Sequence, residues 1–372
     1  MRAGEVKSFL AKLYAAETKA GVQRSSVLLL GGPGIGKSTA VREWAEETAQ
    51  KLGKEFVDYS DDLADKILEQ PEKYFVFHNL PLVGCEPSDL SGHPRLTDGR
   101  VRYYPLEWAR VMSRCAGALF LDDFLDTQRL DVMSAAYRIT LERRIGYIYL
   151  HKDVQVVAAS NTPEYSTLSS RMPSPLANRF IIIRQDPPTV REWAEWMNAR
   201  YGDGWDRRVL AFLERFRDAG YIFQPAREAE TLEEMPTPRS WSKLAVLLAQ
   251  GVNSDEVIDA IIGAEMGQKF AAFSKIQIDL DELARTPEQW KQLNLDAKYV
   301  ASIMLATEIT AKTVNKWIPL IKAMGEDSRE WLIVLSLAMP HKKRADVYLA
   351  ILKSGGEVEE IFREIEEVAR RL

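Results

Sequence analysis

The sequence predicts an α/β fold in which helices cover a parallel β-sheet, followed by an all-helical region. Three observations lead to this prediction. A glycine-rich loop lies between an apolar strand and a helix, further apolar strands end in polar residues, and the pattern becomes wholly helical after Pro187-Pro188. The 372 residues are enough for two or three domains.

The glycine-rich loop, Gly31 to Ser38, has the pattern G-x-x-x-x-G-K-S of a phosphate-binding P-loop. Glycines let the backbone approach phosphate oxygens, and the N–H groups and positive end of the following helix then point at the anion. Lys37 can reach the β- and γ-phosphates, and the Ser38 hydroxyl can ligate Mg²⁺. The residues predicted to hold the phosphates are Gly32, Pro33, Gly34, Ile35, Gly36, Lys37, Ser38 and Thr39.

The composition is that of an ordinary globular protein, with 46% hydrophobic and 28% charged residues. A net charge of −5 argues against a surface that coats nucleic acid, although a local basic pore stays open. The two cysteines, Cys85 and Cys115, have no metal-binding spacing, so we expect a protein of the reducing cytoplasm. We expect neither a signal peptide nor a membrane span.

The elements around the loop follow from the periodicity of apolar residues. In chain order the sequence predicts a helix over residues 1–20, strands over 27–30, 55–59 and 73–78, and helices over 39–47, 61–70 and 106–115. A segment rich in proline and glycine follows from Leu80 to Pro105. Within it Asp98-Gly99 predicts the tip of a β-hairpin.

The strand predicted from Ala118 ends in two carboxylates, Asp122 and Asp123, before a helix over 129–143. After a P-loop, the first carboxylate is expected to hold Mg²⁺ through water, and the second to orient or deprotonate the attacking water. The alternative is an acidic helix N-terminus, where carboxylates are also favourable.

The next buried strand, Val154 to Ala159, ends in Ser160-Asn161. At the carboxyl edge of a parallel sheet the Asn161 amide would face the same crevice as the P-loop. The alternative is an asparagine that starts a turn before Pro163. A helix from Ser174 and a last strand over 181–183 complete the predicted sheet domain.

Beyond the two prolines the helical segments predicted most strongly are 191–200, 207–219, 240–248 and 254–273. Ser240 is expected to cap the third of these. Helices continue from residue 276 as a C-terminal extension. The last helix carries an apolar stripe beginning at Val358, which is typical of core packing and otherwise of a docking face for a partner.

With these motifs in order, the chain resembles the AAA+ ATPases, and among them the MoxR-like group, over residues 20 to 275. The resemblance rests on Gly31 to Thr39 as the Walker A motif and on Leu119 to Asp123 as the Walker B motif. It implies a P-loop core over 1–186 with an insert hairpin over about 85–105, a helical lid over 187–275 and an extension over 276–372.

The resemblance also implies roles for four polar residues. Asn161 would be sensor 1 and position the attacking water. Arg179 would be an arginine finger that reaches the γ-phosphate bound by the adjacent subunit, with Arg171 as a second candidate. Arg239 would be sensor 2 and act from the lid of its own subunit. The family usually has Asp-Glu at the end of the Walker B motif, so the shorter Asp123 predicts slow turnover or a bridging water.

The function implied by the resemblance is an ATPase that forms a ring, most often a hexamer, and remodels a separate partner protein. A von Willebrand factor A-domain protein is a partner typical of this group. Three alternatives stay open: a nucleic-acid motor or loader that uses Arg95, Arg100 and Arg102, a chelatase-type motor subunit, and a nucleotide-gated scaffold that hydrolyses ATP slowly. ATP rather than GTP as the nucleotide, and Mg²⁺ as its metal, also follow from the family.

Overall fold

A computed structural model describes residues 1–127, 129–162, 177–219, 222–223 and 235–354. These residues form two compact units, the first from Met1 to Pro187 and the second from Pro188 onward. Residues 174–176 of the helix predicted from Ser174, and the apolar stripe from Val358, lie outside the described residues. Ala177 is helical, whereas Phe180, predicted as the end of that helix, belongs to a strand. The predicted division of the second part into a lid and an extension stays a prediction.

The first unit contains all the strands of the described residues, which belong to one large sheet and two hairpins. In chain order they are β1 (Ser26–Leu30), β2 (Glu55–Asp58), β3 (Tyr74–Pro81), β4 (His93–Thr97), β5 (Arg100–Tyr104), β6 (Ala116–Asp122), β7 (Arg144–Ile145), β8 (Ile148–Tyr149), β9 (Val154–Ser160) and β10 (Phe180–Arg184). The large sheet has the spatial order β10-β1-β9-β6-β3-β2 and is parallel throughout. The α/β fold class is therefore confirmed.

Helices cover both faces of this sheet because its strands are apolar on both sides. They are α1 (Ala3–Ala20), α2 (Lys37–Lys51), α3 (Ala64–Glu69), α4 (Pro87–Ser91), α5 (Glu107–Arg114) and α6 (Leu130–Glu142). On one face Val27 and Leu29 pack with Trp44 of α2 and with α1. On the other face Leu28 packs with residues of α5 and α6. Each fully buried side chain of this size contributes about 1.5–3 kcal/mol.

The register of the strands brings their carboxyl ends to one edge. Leu30 of β1 is paired with Ser160 of β9, and Leu121 of β6 is paired with Ala158 of the same strand. β9 therefore lies between the strand that enters the P-loop and the strand that carries the carboxylates. The residues that follow these three strands are neighbours at that edge.

Two β-hairpins project beside this sheet. In the first, β4 and β5 are joined by Asp98 and Gly99, whose φ angles of 51° and 70° belong to a two-residue turn of the left-handed type. The second hairpin, β7 with β8, is not predicted by the sequence pattern because its strands have only two residues each. A Cβ on Gly146 would lie 2.1 Å from the Ser91 carbonyl oxygen, so glycine is required for this close approach to α4.

The second unit is helical. Its helices are α7 (Val190–Tyr201), α8 (Arg208–Arg215), α9 (Pro238–Ala249), α10 (Asp255–Ile262), α11 (Ala264–Ser274), α12 (Leu280–Arg285), α13 (Leu295–Glu308), α14 (Val314–Asp327), α15 (Arg329–Ala338) and α16 (His341–Ser354). One hydrophobic core joins them. Its most deeply buried large aromatic side chains include Phe212, Trp241, Phe270, Trp290 and Trp317.

Two local predictions for this unit are wrong. The single helix predicted over 254–273 is divided at Gly263, whose φ of 85° is outside the helical region and suits glycine. The cap of α9 is Thr237 rather than Ser240. Thr237 Oγ1 accepts a hydrogen bond from the Ser240 N–H at 3.2 Å, and Ser240 Oγ accepts one from the Thr237 N–H at 2.7 Å, which forms a reciprocal capping box.

Within the described part of the chain, every helix is too short or too polar to cross a lipid bilayer.

Candidate nucleotide-binding site

The P-loop runs from the end of β1 to the start of α2. Gly34 and Gly36 have φ angles of 71° and 91°, which glycine adopts without strain. Gly31 donates its N–H to the Ser160 carbonyl at 3.3 Å, so the loop is tied to the end of β9. A Cβ on Gly31 would lie 2.5 Å from the Gln185 carbonyl oxygen, which explains the glycine at this position.

The N-terminus of α2 has the properties of an anion site. Its N-cap is Gly36, and among the described residues no side chain caps the first turn and no acidic residue lies within that turn. The N–H groups at the start of a helix need acceptors, and the helix dipole favours a negative charge there. Phosphate oxygens therefore fit this part of the loop.

Lys37 points into the loop. Its Nζ donates to the carbonyl oxygens of Gly31 and Gly32, both at 2.9 Å, and to Oδ1 of Asn161 at 3.1 Å. The structure therefore brings together the lysine and the asparagine that the sequence singled out, although they are 124 positions apart. These contacts hold the ammonium group at the carboxyl edge of the sheet.

The two carboxylates follow β6 at the same edge. Asp122 is the last residue of this strand, where it is paired with Pro81, and its carbonyl accepts the Leu82 N–H at 3.0 Å. Asp123 has a φ of 53°, a left-handed conformation that is uncommon for residues other than glycine and is most accessible to Asn and Asp. Strained backbone of this kind is frequent at functional sites.

Asp126 is a site residue that sequence reasoning missed. It is buried, and its Oδ2 accepts hydrogen bonds from Asn161 Nδ2 at 3.2 Å and from Ser160 Oγ at 3.2 Å. The only signal in the sequence is an acidic residue three positions after Asp123, which by itself predicts nothing.

The residues predicted to ligate Mg²⁺ supply suitable atoms. Ser38 offers a hydroxyl oxygen and Asp122 a carboxylate oxygen, both of which Mg²⁺ accepts. Among the described residues there is no group of three or more His, Cys, Asp and Glu side chains that could hold a metal by itself. This donor set fits a Mg²⁺ ion that binds together with phosphates, because such ions use one or two protein ligands.

The three arginines of the resemblance have different positions. Arg179 is exposed and directly precedes β10 in the first unit. Arg239 is the second residue of α9 in the second unit and is also exposed. Arg171 lies outside the described residues. Exposure is compatible with a role toward a neighbouring subunit, but it does not by itself assign one.

The other candidate groups of the first unit are structural. His78 lies between the rings of Tyr59 and Trp108, and burial lowers its pKa to about 4, so it is neutral at physiological pH. Burial raises the pKa of the Cys115 thiol to about 11 and also raises that of Cys85. Both cysteines are free and buried, and neither is an activated nucleophile.

No family model and no curated protein matches the chain. Solved structures similar to it include a single-residue variant of Thermotoga maritima RuvB, with 17% identity over 86% of each chain and a TM-score of 0.36. A second is the Aeropyrum pernix ORC2 protein, with 12% identity over 98% of this chain and 94% of that chain and a TM-score of 0.39. A third is the FIGL-1 AAA domain in complex with ADP, with 14% identity over 73% of this chain and 79% of that chain and a TM-score of 0.33.

Because the identities and the TM-scores are all low, the fold assignment rests on the molecule's own geometry. A parallel sheet, a glycine loop that enters a helix, and carboxylates at the end of β6, which β9 separates from β1, define an α/β P-loop fold.

Proposed function

We propose that the protein is a Mg²⁺-dependent ATPase that works as a ring of six subunits, the ring size that the family resemblance implies. The observation that carries the proposal is the contact of Lys37 with the carbonyl oxygens of the P-loop and with Asn161. It gives the lysine, the amide and the helix N-terminus a common position at the carboxyl edge of the sheet. Two free, buried cysteines suit a reducing cytoplasm.

In this proposal the backbone N–H groups of the loop and Lys37 bind the triphosphate and stabilise the charge that develops during transfer. Mg²⁺, held by Ser38 and Asp122, would neutralise the phosphate oxygens. Asp123 orients or deprotonates the attacking water, and Asn161 helps to position it.

A direct test compares Lys37→Ala with Lys12→Ala, an exposed lysine on α1. The measurements are phosphate release from ATP and binding of the fluorescent analogue mant-ATP. We expect Lys37→Ala to lose turnover and to bind nucleotide at least about tenfold more weakly, because the ammonium group contacts the phosphates. Lys12→Ala should behave as the wild type. Normal turnover in Lys37→Ala contradicts the proposal.

The ring part of the proposal assigns Arg179 to the active site of a neighbouring subunit. Support comes from its exposure just before β10 and from the planar guanidinium, which grips phosphate at two points. The matched control is Arg184→Ala, an exposed arginine at the other end of the same strand. Activity per subunit should rise with protein concentration in the wild type.

A mixing experiment separates action between subunits from action within one. Lys37→Ala and Arg179→Ala proteins, each inactive alone, are combined in equal amounts. Random assembly gives about a quarter of the interfaces an intact P-loop facing an intact arginine, so activity should return to about that fraction. No recovery, in mixtures shown to form mixed rings, rejects the assignment of Arg179.

For the client we propose a separate protein, with a von Willebrand factor A-domain protein as the partner implied by the resemblance. The projecting hairpin of β4 and β5 supports a contact with a client because Leu96 and Val101 are 76% and 64% exposed. The test is capture of the partner by Asp123→Asn in the presence of ATP. Capture that is equal in Lys37→Ala contradicts nucleotide-dependent engagement.

A second candidate function, engagement of single-stranded nucleic acid, is favoured by the other face of this hairpin. Arg95 and Arg102 lie directly opposite each other across the strands, and Arg100 lies on the same face. In the described part of the chain no carboxylate forms an ion pair with any of them. Like charges placed in this way repel each other, which suits a polyanionic ligand.

Exposed aromatic rings lie on both faces of this hairpin. Tyr104 is on the arginine face, where Arg95 lies 5.5 Å from its ring centroid, and Tyr103 is on the opposite face with Val101. Tyr103 contacts Tyr147 of the second hairpin with ring centroids 4.8 Å apart, and Tyr147 and Tyr149 are 62% and 64% exposed. Arg144 lies over both rings of the second hairpin. Arginines that contact phosphates beside tyrosines on which bases stack are the usual elements of a single-strand platform.

The test uses a fluorescein-labelled oligothymidylate of about 20 nucleotides and measures its anisotropy as the salt concentration rises. Removing two phosphate contacts in Arg95→Ala/Arg102→Ala should lower the slope of log affinity against log salt by about 1.4. Arg110→Ala/Arg138→Ala, which removes two exposed and ion-paired arginines, is the control. An equal slope in the two double variants rejects this surface, and preference for polyglutamate over the oligonucleotide identifies an acidic polypeptide instead.

A further inference from the structure

The loop that follows β6 contains a buried carboxylate close to the predicted catalytic residues. Asp126 is only 6% exposed. Its Oδ2 accepts three hydrogen bonds, from Ser160 Oγ at 3.2 Å, from the Asn161 N–H at 3.3 Å and from Asn161 Nδ2 at 3.2 Å. Its Oδ1 is buried and has no hydrogen-bond partner among the described residues. Burying a carboxylate is costly, and the three hydrogen bonds to Oδ2 offset part of that cost.

The carboxylate is held in place by the backbone around it. The Phe124 N–H donates to the Ala159 carbonyl at 2.8 Å, and the Leu125 N–H donates to Ser160 Oγ at 3.3 Å. The Asp126 N–H donates to the Asp123 carbonyl at 3.0 Å. The loop after β6 is thereby fixed against the end of β9, and Asp126 has little freedom to move away from Asn161.

This arrangement decides which end of the Asn161 amide faces the P-loop. A carboxylate only accepts hydrogen bonds, so it binds the NH₂ end of the amide. The carbonyl end then points the other way, where Oδ1 accepts from Lys37 Nζ at 3.1 Å. With Asp126 in place, the amide offers an acceptor to the P-loop and keeps its donors on the opposite side.

We propose that Asp126 is a positioning residue, which makes Asn161 present its carbonyl oxygen to the reaction site. In that orientation Asn161 holds Lys37 and can accept a proton of the attacking water, but it cannot donate to the γ-phosphate. The inference rests on the ATPase proposed above and adds a residue to it that touches no substrate. A support behind a functional side chain typically contributes a factor of about 10–100.

The test begins with two variants of similar shape. Asp126→Asn keeps one acceptor oxygen for the three donors, whereas Asp126→Leu removes it and leaves the amide free to turn. We expect kcat for ATP to fall at least about tenfold in Asp126→Leu and to stay within about threefold of the wild type in Asp126→Asn. The Kd for mant-ADP should change by less than about threefold in both, because Asp126 does not touch the nucleotide.

An exchange of the two side chains gives a second, independent test. Asn161→Asp alone places two carboxylates against each other and should lose most of its turnover. Adding Asp126→Asn places an amide NH₂ donor at position 126, facing the new carboxylate at position 161. The other oxygen of that carboxylate remains an acceptor for Lys37, and the total charge is that of the wild type. We expect the double variant to turn over at least about tenfold faster than Asn161→Asp. Failure of this rescue overturns the proposal.

The orientation itself can be observed without turnover. In protein labelled with ¹⁵N-asparagine, the side-chain NH₂ signal that is absent from Asn161→Asp belongs to Asn161. It should move less in Asp126→Asn than in Asp126→Leu, since only the second loses the hydrogen-bond acceptor. A signal that does not move contradicts the proposal, and so does a lower melting temperature of Asp126→Leu with an unchanged kcat.

Failure of the proposed function appears differently. A wild-type protein that neither binds mant-ADP nor releases phosphate rejects the ATPase and the role of Asp126 in it. Wild-type turnover together with an unchanged kcat in Asp126→Leu rejects Asp126 alone.

Discussion

Replacing Gly31 with alanine tests how the P-loop is attached to the rest of the sheet. The added Cβ would lie 2.5 Å from the Gln185 carbonyl oxygen and 2.7 Å from Ile35 Cδ1. The Ile35 methyl can rotate, but the carbonyl belongs to the backbone. Ordinary contacts between such atoms are about 3.5 Å. Either the loop or the segment after β10 must therefore move by about 1 Å to restore an ordinary contact.

The cost of that movement follows from the bonds that hold Gln185. Its N–H donates to the Leu30 carbonyl at 2.7 Å, and its Nε2 donates to the Ile35 carbonyl at 3.3 Å. Overpacking costs about 1–3 kcal/mol, and weakening one of these hydrogen bonds adds about 1 kcal/mol. We expect Gly31→Ala to destabilise the first unit by about 2–4 kcal/mol even without nucleotide.

The assay is differential scanning calorimetry, in which this cost corresponds to a fall in Tm of about 4–16 °C for a unit of this size. Binding of mant-ADP should also weaken at least about tenfold, because the loop N–H groups are displaced from the positions in which they bind phosphate. Gly4→Ala is the control, since a Cβ at Gly4 meets nothing within 4 Å. A Tm of Gly31→Ala within about 2 °C of the wild type, with unchanged nucleotide affinity, would refute the reasoning.

Two further predictions concern the carboxylates. Asp123→Glu extends the carboxylate toward the attacking water and should raise kcat by about three- to tenfold. The φ of 53° at this position should make the folded variant about 1 kcal/mol less stable than the wild type. A kcat below that of the wild type would show that the length of the Asp123 side chain does not limit turnover. Asp327 Oδ2 accepts hydrogen bonds from Trp290 Nε1 at 3.2 Å, from Trp331 Nε1 at 2.7 Å and from Lys298 Nζ at 2.8 Å. Asp327→Ala should therefore lower the free energy of unfolding by about 3–6 kcal/mol, and Asp327→Asn by about half as much. The measurement is urea unfolding followed by tryptophan fluorescence. Burial acts to raise the pKa of Asp327, but these hydrogen bonds outweigh it, and the pKa is lower than its ordinary value. The stabilisation by Asp327 is therefore fully present above its pKa in the unfolded chain, about 3.9, and is lost as the pH falls through its pKa in the folded protein. Equal acid sensitivity in Asp327→Ala and the wild type would count against this.

Much of the first unit could be predicted because its signals are local. The strand before Gly31, the helix after it and the Asp98-Gly99 turn are specified by neighbouring residues, through apolar periodicity and through the backbone angles that glycine and aspartate adopt. The predicted helix over 254–273 failed for a local reason as well. Gly263 takes a φ of 85°, and apolar periodicity carries no information about that choice.

The site divides in the same way. Lys37, Asp122 and Asn161 stand out in the sequence because each follows an apolar strand or a glycine motif. Asp126 and the second hairpin do not stand out. Asp126 matters only because its carboxylate meets an amide 35 positions away, and Tyr147 only because it meets Tyr103.

The sequence by itself therefore determined the order of the elements, the phosphate loop and the identity of the polar groups at the ends of the strands. Only the tertiary structure decided that the Gln185 carbonyl closes on Gly31, that Asp126 turns the Asn161 amide toward Lys37, and that two hairpins share a surface of arginine and tyrosine. The physical reason is that backbone preferences act between neighbouring residues. The direction in which a side chain offers a donor or an acceptor is instead set by groups that packing brings together from distant parts of the chain.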